Sequence, residues 1–162
     1  MPDSSESTRS VTVAVADEAA LAPLARRLLD ALPHPAFLAL HGDLGAGKTT
    51  FVKALAAAAG IDPTEVVSPT FGLIHEHPGP HGTLVHADMY RLGGDDELGE
   101  LGWHDAVARA AWACVEWPER IAGSMPDERL EVMIGIESPT ARSFTFSSHG
   151  LRHAATVAAL RS

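Results

Sequence analysis

The stretch that most constrains this chain is residues 42–50, Gly-Asp-Leu-Gly-Ala-Gly-Lys-Thr-Thr. Gly42, Gly47, Lys48 and Thr49 hold the fixed places of the G-x-x-x-x-G-K-[ST] pattern. The pattern has a physical basis. Glycines let the backbone curl until several N–H groups point inward at phosphate oxygens. Lys48 brings a cation to the outer phosphates, and Thr49 offers a hydroxyl to a magnesium ion. A helix that starts at the loop adds its positive dipole end. The whole run of Gly42, Asp43, Leu44, Gly45, Ala46, Gly47, Lys48, Thr49 and Thr50 is therefore a candidate phosphate cradle.

The flanks supply the context the pattern needs. Ala36 to His41 is a short apolar run that predicts a fully buried strand. Thr49 to Ala59 predicts a helix, with Gly60 as its C-terminal stop. Strand, loop and helix follow in the order that phosphate binding requires.

At 162 residues the chain has room for one three-layer domain. The polar, Ser-rich residues 1–10 predict a flexible N-terminus, and residues 11–162 a single domain. No apolar run reaches membrane-spanning length. The N-terminus lacks the apolar centre of a signal peptide, so a cytoplasmic protein is expected. The lone Cys114 cannot form an internal disulfide, in keeping with a reducing compartment. A formal net charge of −9 argues against tight independent binding of nucleic acid. If the protein serves a nucleic-acid pathway, a partner is expected to hold the nucleic acid.

Strands are expected at 10–16, 71–77, 83–87, 111–116, 130–137 and 143–148, besides the buried run before the loop. Asp17 can cap a helix reaching about Leu32, with Pro23 sitting oddly inside it. The turn cluster Pro78 to Gly82 predicts an antiparallel hairpin. Short helices are expected within 93–102, at 103–109 and after Trp117. A final helix is expected from Gly150 to Leu160. The sum is an α/β fold, a three-layer sandwich whose central sheet is mixed and mainly parallel, flanked by helices.

A phosphate loop works with a metal and usually a second acid at a neighbouring strand end. Asp88 and Glu116 both close apolar strands, where open α/β sheets gather ligands. The alternative for each is an ordinary strand-end acid facing solvent. Thr70, after Pro69, can sense the last phosphate or place an attacking water; equally, it can be a loop threonine bonding its own backbone. His75 and His77 share one strand face, and His86 and Asp88 share another. These could approach one another and bind a transition metal. Histidines on a polar sheet face are the preferred reading.

In order, the motifs are Leu44-Gly45-Ala46-Gly47-Lys48-Thr49-Thr50, Ser68-Pro69-Thr70-Phe71, His86-Ala87-Asp88-Met89-Tyr90-Arg91-Leu92, Glu100-Leu101-Gly102 and Val115-Glu116-Trp117-Pro118-Glu119. This series resembles the TsaE family, small bacterial P-loop ATPases needed to make threonylcarbamoyladenosine at position 37 of tRNA. The resemblance implies a Mg-dependent ATPase of P-loop fold, with ATP and Mg2+ as ligands. Leu44 to Thr49 would wrap the ATP phosphates, and Thr49 and Glu116 would hold magnesium. Asp88 would sit near the terminal phosphate, and Ser68 to Phe71 would be the switch segment, with Thr70 in it. Trp117 matches the aromatic beside the acid. Glu18 matches an acidic position near the base, and Arg142 a basic position near the nucleotide.

The family's partners are TsaD, which transfers the threonylcarbamoyl group, and TsaB, its scaffold. ATP turnover is expected to reset the TsaB–TsaD complex, which leaves tRNA contact indirect. Two readings compete: a non-catalytic nucleotide-binding module that only assembles a complex, against which Lys48, Thr49, Asp88 and Glu116 speak, and a small-molecule or nucleotide kinase built on the same loop. The kinase would need an acceptor pocket and usually an Arg-rich lid, and Arg91, Arg109, Arg120 and Arg142 are not clustered in sequence.

Overall fold

A computed structural model of the protein describes residues 10–67 and 74–161. The expected switch segment Ser68–Phe71, Thr70 included, lies outside the described residues, as do residues 1–9. Seven strands form one sheet: β1 (Ser10–Val15), β2 (Ala36–His41), β3 (Ile74–Gly79), β4 (Gly82–Asp88), β5 (Trp112–Glu116), β6 (Arg129–Ile136) and β7 (Arg142–His149). Their order across the sheet is β1-β7-β6-β2-β5-β4-β3. The centre, β6-β2-β5-β4, is parallel. Antiparallel pairs close both sides, β1–β7–β6 on one and β3–β4 on the other. The expected mixed, mainly parallel sheet is the observed one.

The central strands are apolar throughout because both faces are covered. Along β2, Ala36, Leu38 and Leu40 point to one face with Leu84, Trp112 and Cys114. That face packs under α1 (Leu21–Ala31), α2 (Lys48–Ala58) and α4 (Ala154–Leu160). Phe37, Val85, Ala113 and Val115 point the other way, onto α3 (Trp103–Arg109) and the 3-10 segments Asp95–Leu101 and Pro118–Ser124. Phe51 of α2 is fully buried, its ring centroid 5.0 Å from that of Phe144 and 6.5 Å from that of Phe146. These contacts lock the loop-bearing helix to the sheet.

Three expectations are corrected. Asp17 caps a 3-10 turn at Glu18–Ala20, accepting from the Ala20 amide at 3.1 Å, and the α-helix proper starts at Leu21. Pro23 thereby falls in the first turn, where its missing N–H would have had no helical partner. The hairpin turn is two residues, Pro80-His81, rather than five, because Gly79 pairs with Gly82. Pro78 is accommodated in β3 because that strand is an edge. At the C-terminus only Ala154–Leu160 is α-helical. Ahead of it the chain is held otherwise: the Arg152 amide donates to Glu128, and its guanidinium donates to the Pro35 carbonyl.

Candidate active site

The site grows from the C-terminal ends of the parallel strands. β2 runs out at His41, and residues 42–47 loop over into α2. Gly47 is the N-cap of α2 with φ 103°, left-handed backbone that favours glycine. A Cβ on Gly42 would stand 3.0 Å from the Ile134 carbonyl oxygen, so the loop can pass that close only as glycine. The Ala46 amide donates to the Asp43 carbonyl at 3.0 Å, and the Phe51 amide donates to the Gly47 carbonyl at 2.9 Å. The first places a tight turn in the loop, and the second begins the helix.

β5 lies between β2 and β4, so the acids at its end and at the end of β4 arrive side by side. Asp88 and Glu116 are register partners in the parallel pair. Glu116 is only 4% exposed, and its Oε2 accepts from Thr49 Oγ1 at 2.9 Å. Lys48 Nζ donates to the Gly42 carbonyl at 2.5 Å and lies 3.9 Å over the Trp117 ring centroid. Trp117 itself has φ 57°, the only non-glycine residue with positive φ among those described. That backbone turns the indole back over the lysine, and Tyr90 packs against it at 5.0 Å between ring centroids. Together, Lys48, Thr49, Asp88, Glu116 and Trp117 line a cleft of about 320 Å³ with the loop.

A second cavity of about 530 Å³ opens on the other side of the loop. Glu18, Gly45, Ala46, Gly47, Thr50 and Arg142 all contribute to its wall. Arg142 ties this wall together, donating from Nε to the Ala46 carbonyl at 3.0 Å and from Nη1 to the carbonyls of Ser138 and Ala141 at 2.8 and 2.9 Å. The loop thus separates two cavities: an acid-lined cleft and a roomier pocket with an acid and a guanidinium. Asp43 and Leu44 stand exposed at its tip.

Burial pushes the Asp88 carboxyl above the usual carboxylate range, and the neighbouring Glu116 adds to the rise. The Tyr90 amide, donating to Asp88 Oδ1 at 2.9 Å, and the charge of Lys48 pull it back. Asp88, its carboxyl raised by burial, lines the cleft where an incoming water could meet it. Cys114 is inert in this setting: burial pushes its thiol up to about 12, with Glu116 adding to the rise. Thr49, Asp88 and Glu116 offer oxygen donors alone, which suits a hard cation such as Mg2+.

Of the described candidate residues, Glu18, Thr50 and Arg142 line the larger cavity, and Lys48, Thr49, Asp88, Glu116 and Trp117 line the cleft. The structure also adds His86, which the sequence placed on a polar sheet face. His86 is fully buried and bonds Glu116 through Nε2. The signal was available: His86 lies two residues before Asp88 on one strand, so it points to the same face of the sheet. The hairpin register also brings the two histidine pairs to a common face, as the sequence allowed. His75 is in register with His86, so His75, His77, His86 and Asp88 all point to one face. Among the described residues no three of His, Cys, Asp and Glu converge as a metal-binding set.

The family model for the threonylcarbamoyl adenosine biosynthesis protein TsaE matches residues 15–144. The chain belongs to the TsaE family. The matched span contains both cavities, from Val15 to Phe144. Among relatives, the tRNA threonylcarbamoyladenosine biosynthesis protein TsaE of Bacillus subtilis is 40% identical over 117 residues, 72% of each chain. That of Treponema pallidum is 33% identical over 139 residues, 85% of this chain and 98% of its own. The crystal structure of YdiB from Bacillus subtilis superposes with a TM-score of 0.71 at 29% identity, covering 94% of each chain. This TsaE-family protein has no helix among its described residues long and apolar enough to cross a membrane.

Proposed function

We propose that the protein binds ATP with Mg2+ between these cavities and hydrolyses it, as the accessory ATPase of tRNA N6-threonylcarbamoyladenosine synthesis. The observation that carries this reading is the Thr49–Glu116 hydrogen bond at 2.9 Å, with Asp88 in register beside Glu116. A hydroxyl from the first turn of the loop's helix meets an acid from the adjacent strand, the arrangement that holds a cation against a nucleotide's outer phosphates. Family membership supports the pathway. The partners in this reading are TsaB and TsaD, with tRNA engaged through them.

The phosphates lie in the cradle of residues 42–49, and the base lies in the cavity walled by Glu18 and Arg142. Thr49 and Glu116 would hold Mg2+, which would supply charge neutralisation at the outer phosphates. Lys48 adds a second cation and swings from the Gly42 carbonyl to the phosphates. Loop amides donate to the oxygens on which charge develops. Asp88, with its raised basicity, accepts a hydrogen bond from the attacking water and aligns it. Trp117 limits where Lys48 can travel. Turnover then resets the TsaB–TsaD complex between cycles.

The test is Mg-dependent phosphate release by the purified chain, alone and with TsaB and TsaD added. Release that rises on adding the partners and is lost in Lys48→Ala and Glu116→Ala is the expected result. Phosphate passed instead to a small acceptor, with no response to the partners, would establish a kinase.

A further inference from the structure

Among the described residues the Glu116 carboxylate takes two hydrogen bonds, and both fall on the same oxygen. Thr49 Oγ1 donates to Oε2 at 2.9 Å from the side of the loop. His86 reaches the same Oε2 from β4, at 2.5 Å from Nε2. With Glu116 as the carboxylate that a cation site requires, Nε2 is the donor in this contact. Neither bond touches Oε1, although Glu116 lines the cleft.

His86 is unusual in what it gives up. It is 0% exposed, and its Nδ1 is buried with no hydrogen-bond partner among the described residues. In the neutral tautomer that donates from Nε2, Nδ1 is a bare lone pair without water. Such an atom destabilises a fold by about 1–3 kcal/mol. Leu84, two residues earlier on the same strand face, is an aliphatic residue in the apolar core. Filling space alone would be served by another aliphatic. A half-satisfied histidine at this place points to a task performed by its other nitrogen.

We infer that His86 is a positioning residue: by donating from Nε2 to Oε2, it fixes the rotation of the Glu116 carboxylate and reserves Oε1 for the divalent cation. This rests on the Mg-ATP reading of the cleft and goes beyond it by naming what orients the acid. A single bond from the Thr49 hydroxyl leaves the carboxylate able to pivot about Oε2, and a second donor from another direction removes that freedom. The buried imidazole, held rigidly in the sheet, keeps its hold on Oε2 throughout.

Amide side chains separate this role from space filling. The nitrogen of glutamine reaches about where Nε2 lies, whereas that of asparagine reaches only the position of Nδ1. Binding of a non-hydrolysable ATP analogue is measured by calorimetry in MgCl2 and in EDTA, and the ratio of the two affinities is the readout. In His86→Leu and His86→Asn the ratio is expected to fall about tenfold, the usual scale for losing a group that orients a metal ligand. His86→Gln is expected to keep the ratio within about twofold of the parent, and affinity in EDTA is expected to hold in all three. Loss of the ratio in His86→Gln as well, or its retention in His86→Leu and His86→Asn, overturns the inference. No magnesium gain in the unaltered protein would instead remove the Mg-ATP reading, and the inference with it.

A second measurement covers variants that fail to fold. Histidine ring 15N spectra of the unaltered protein should show His86 protonated at Nε2, with a strongly deshielded proton that moves in Glu116→Gln. Protonation at Nδ1 would overturn the inference.

Discussion

Thr49 Oγ1 donates to Glu116 Oε2 across 2.9 Å, fastening the first turn of α2 to the end of β5. Thr49 and Glu116 are 67 positions apart in sequence, and the parallel pairing of β2 with β5 makes them neighbours. On the proposed function this contact is the cation site, so its two ends should fail in the same way. Thr49→Ala and Glu116→Gln are expected to lower Mg-dependent ATP hydrolysis by about 100-fold or more. Nucleotide affinity in EDTA should change little. Phosphate-release kinetics beside calorimetry distinguish this result from simple loss of folding.

Lys48 over Trp117 gives a smaller and differently shaped effect. The ammonium sits 3.9 Å from the indole centroid, a cation–π contact of about 0.5–1 kcal/mol. Trp117→Ala removes the ring and frees Lys48 to sample solvent. The KM for ATP should rise about two- to fivefold, with a smaller change in kcat. Trp117→Phe keeps an aromatic face and should stay near the parent value. Steady-state hydrolysis with ATP as the varied substrate reads both.

The loop at 42–50 and the acids at Asp88 and Glu116 were legible because each rests on short-range chemistry. A Gly-rich turn before a helix and a carboxylate after an apolar strand both show in the order of residues. Strand pairing made the rest predictable once the sheet was known to be parallel. The burial of His86 was not legible, since alternation gives its face but not what covers it. The role of Arg142 as a tie was equally hidden. Its three carbonyl partners come from Ala46, Ser138 and Ala141, and Ala46 is distant in sequence. The turn at Pro80-His81 was misjudged because Pro and Gly usually break strands, and only the edge position of β3 tolerates Pro78 inside one.

Arg142 yields a prediction from that tie. A planar guanidinium can donate to three carbonyls at fixed angles, and a lysine ammonium cannot span them. Arg142→Lys should therefore behave almost as badly as Arg142→Ala. Charge-assisted bonds of this kind are worth about 1.5–3 kcal/mol apiece in favourable settings, and partial exposure reduces that. A stability loss of about 1–2 kcal/mol and a roughly tenfold weaker hold on ATP are expected in both variants. Urea unfolding and analogue binding measure the two effects separately.

Stability should also fall in mild acid, and His153 is the reason. It is 0% exposed, and its Nε2 accepts a hydrogen bond from the Phe37 amide at 3.3 Å. Burial holds the imidazole down to about 4 from an ordinary 6.5, and the charge of Arg152 helps. Protonating Nε2 would also break its bond to Phe37. The unfolded chain takes up this proton near pH 6.5 and the folded chain only near 4, so the unfolded state binds more protons between those values. Stability is full above about pH 6.5 and declines as the pH drops toward 4, by up to about 3 kcal/mol from this group. His77, lowered chiefly by burial, acts in the same direction. Asp62 and Glu131 have lowered pKa values in the fold, so their contribution is lost only as the pH falls through and below the ordinary carboxylate range, at and beyond the lower edge of this window. Urea midpoints at pH 7 and pH 5 should differ clearly in the parent. In His153→Gln, which keeps an acceptor for the Phe37 amide but does not titrate, the two midpoints should draw together; an unchanged gap would assign the acid sensitivity to another group.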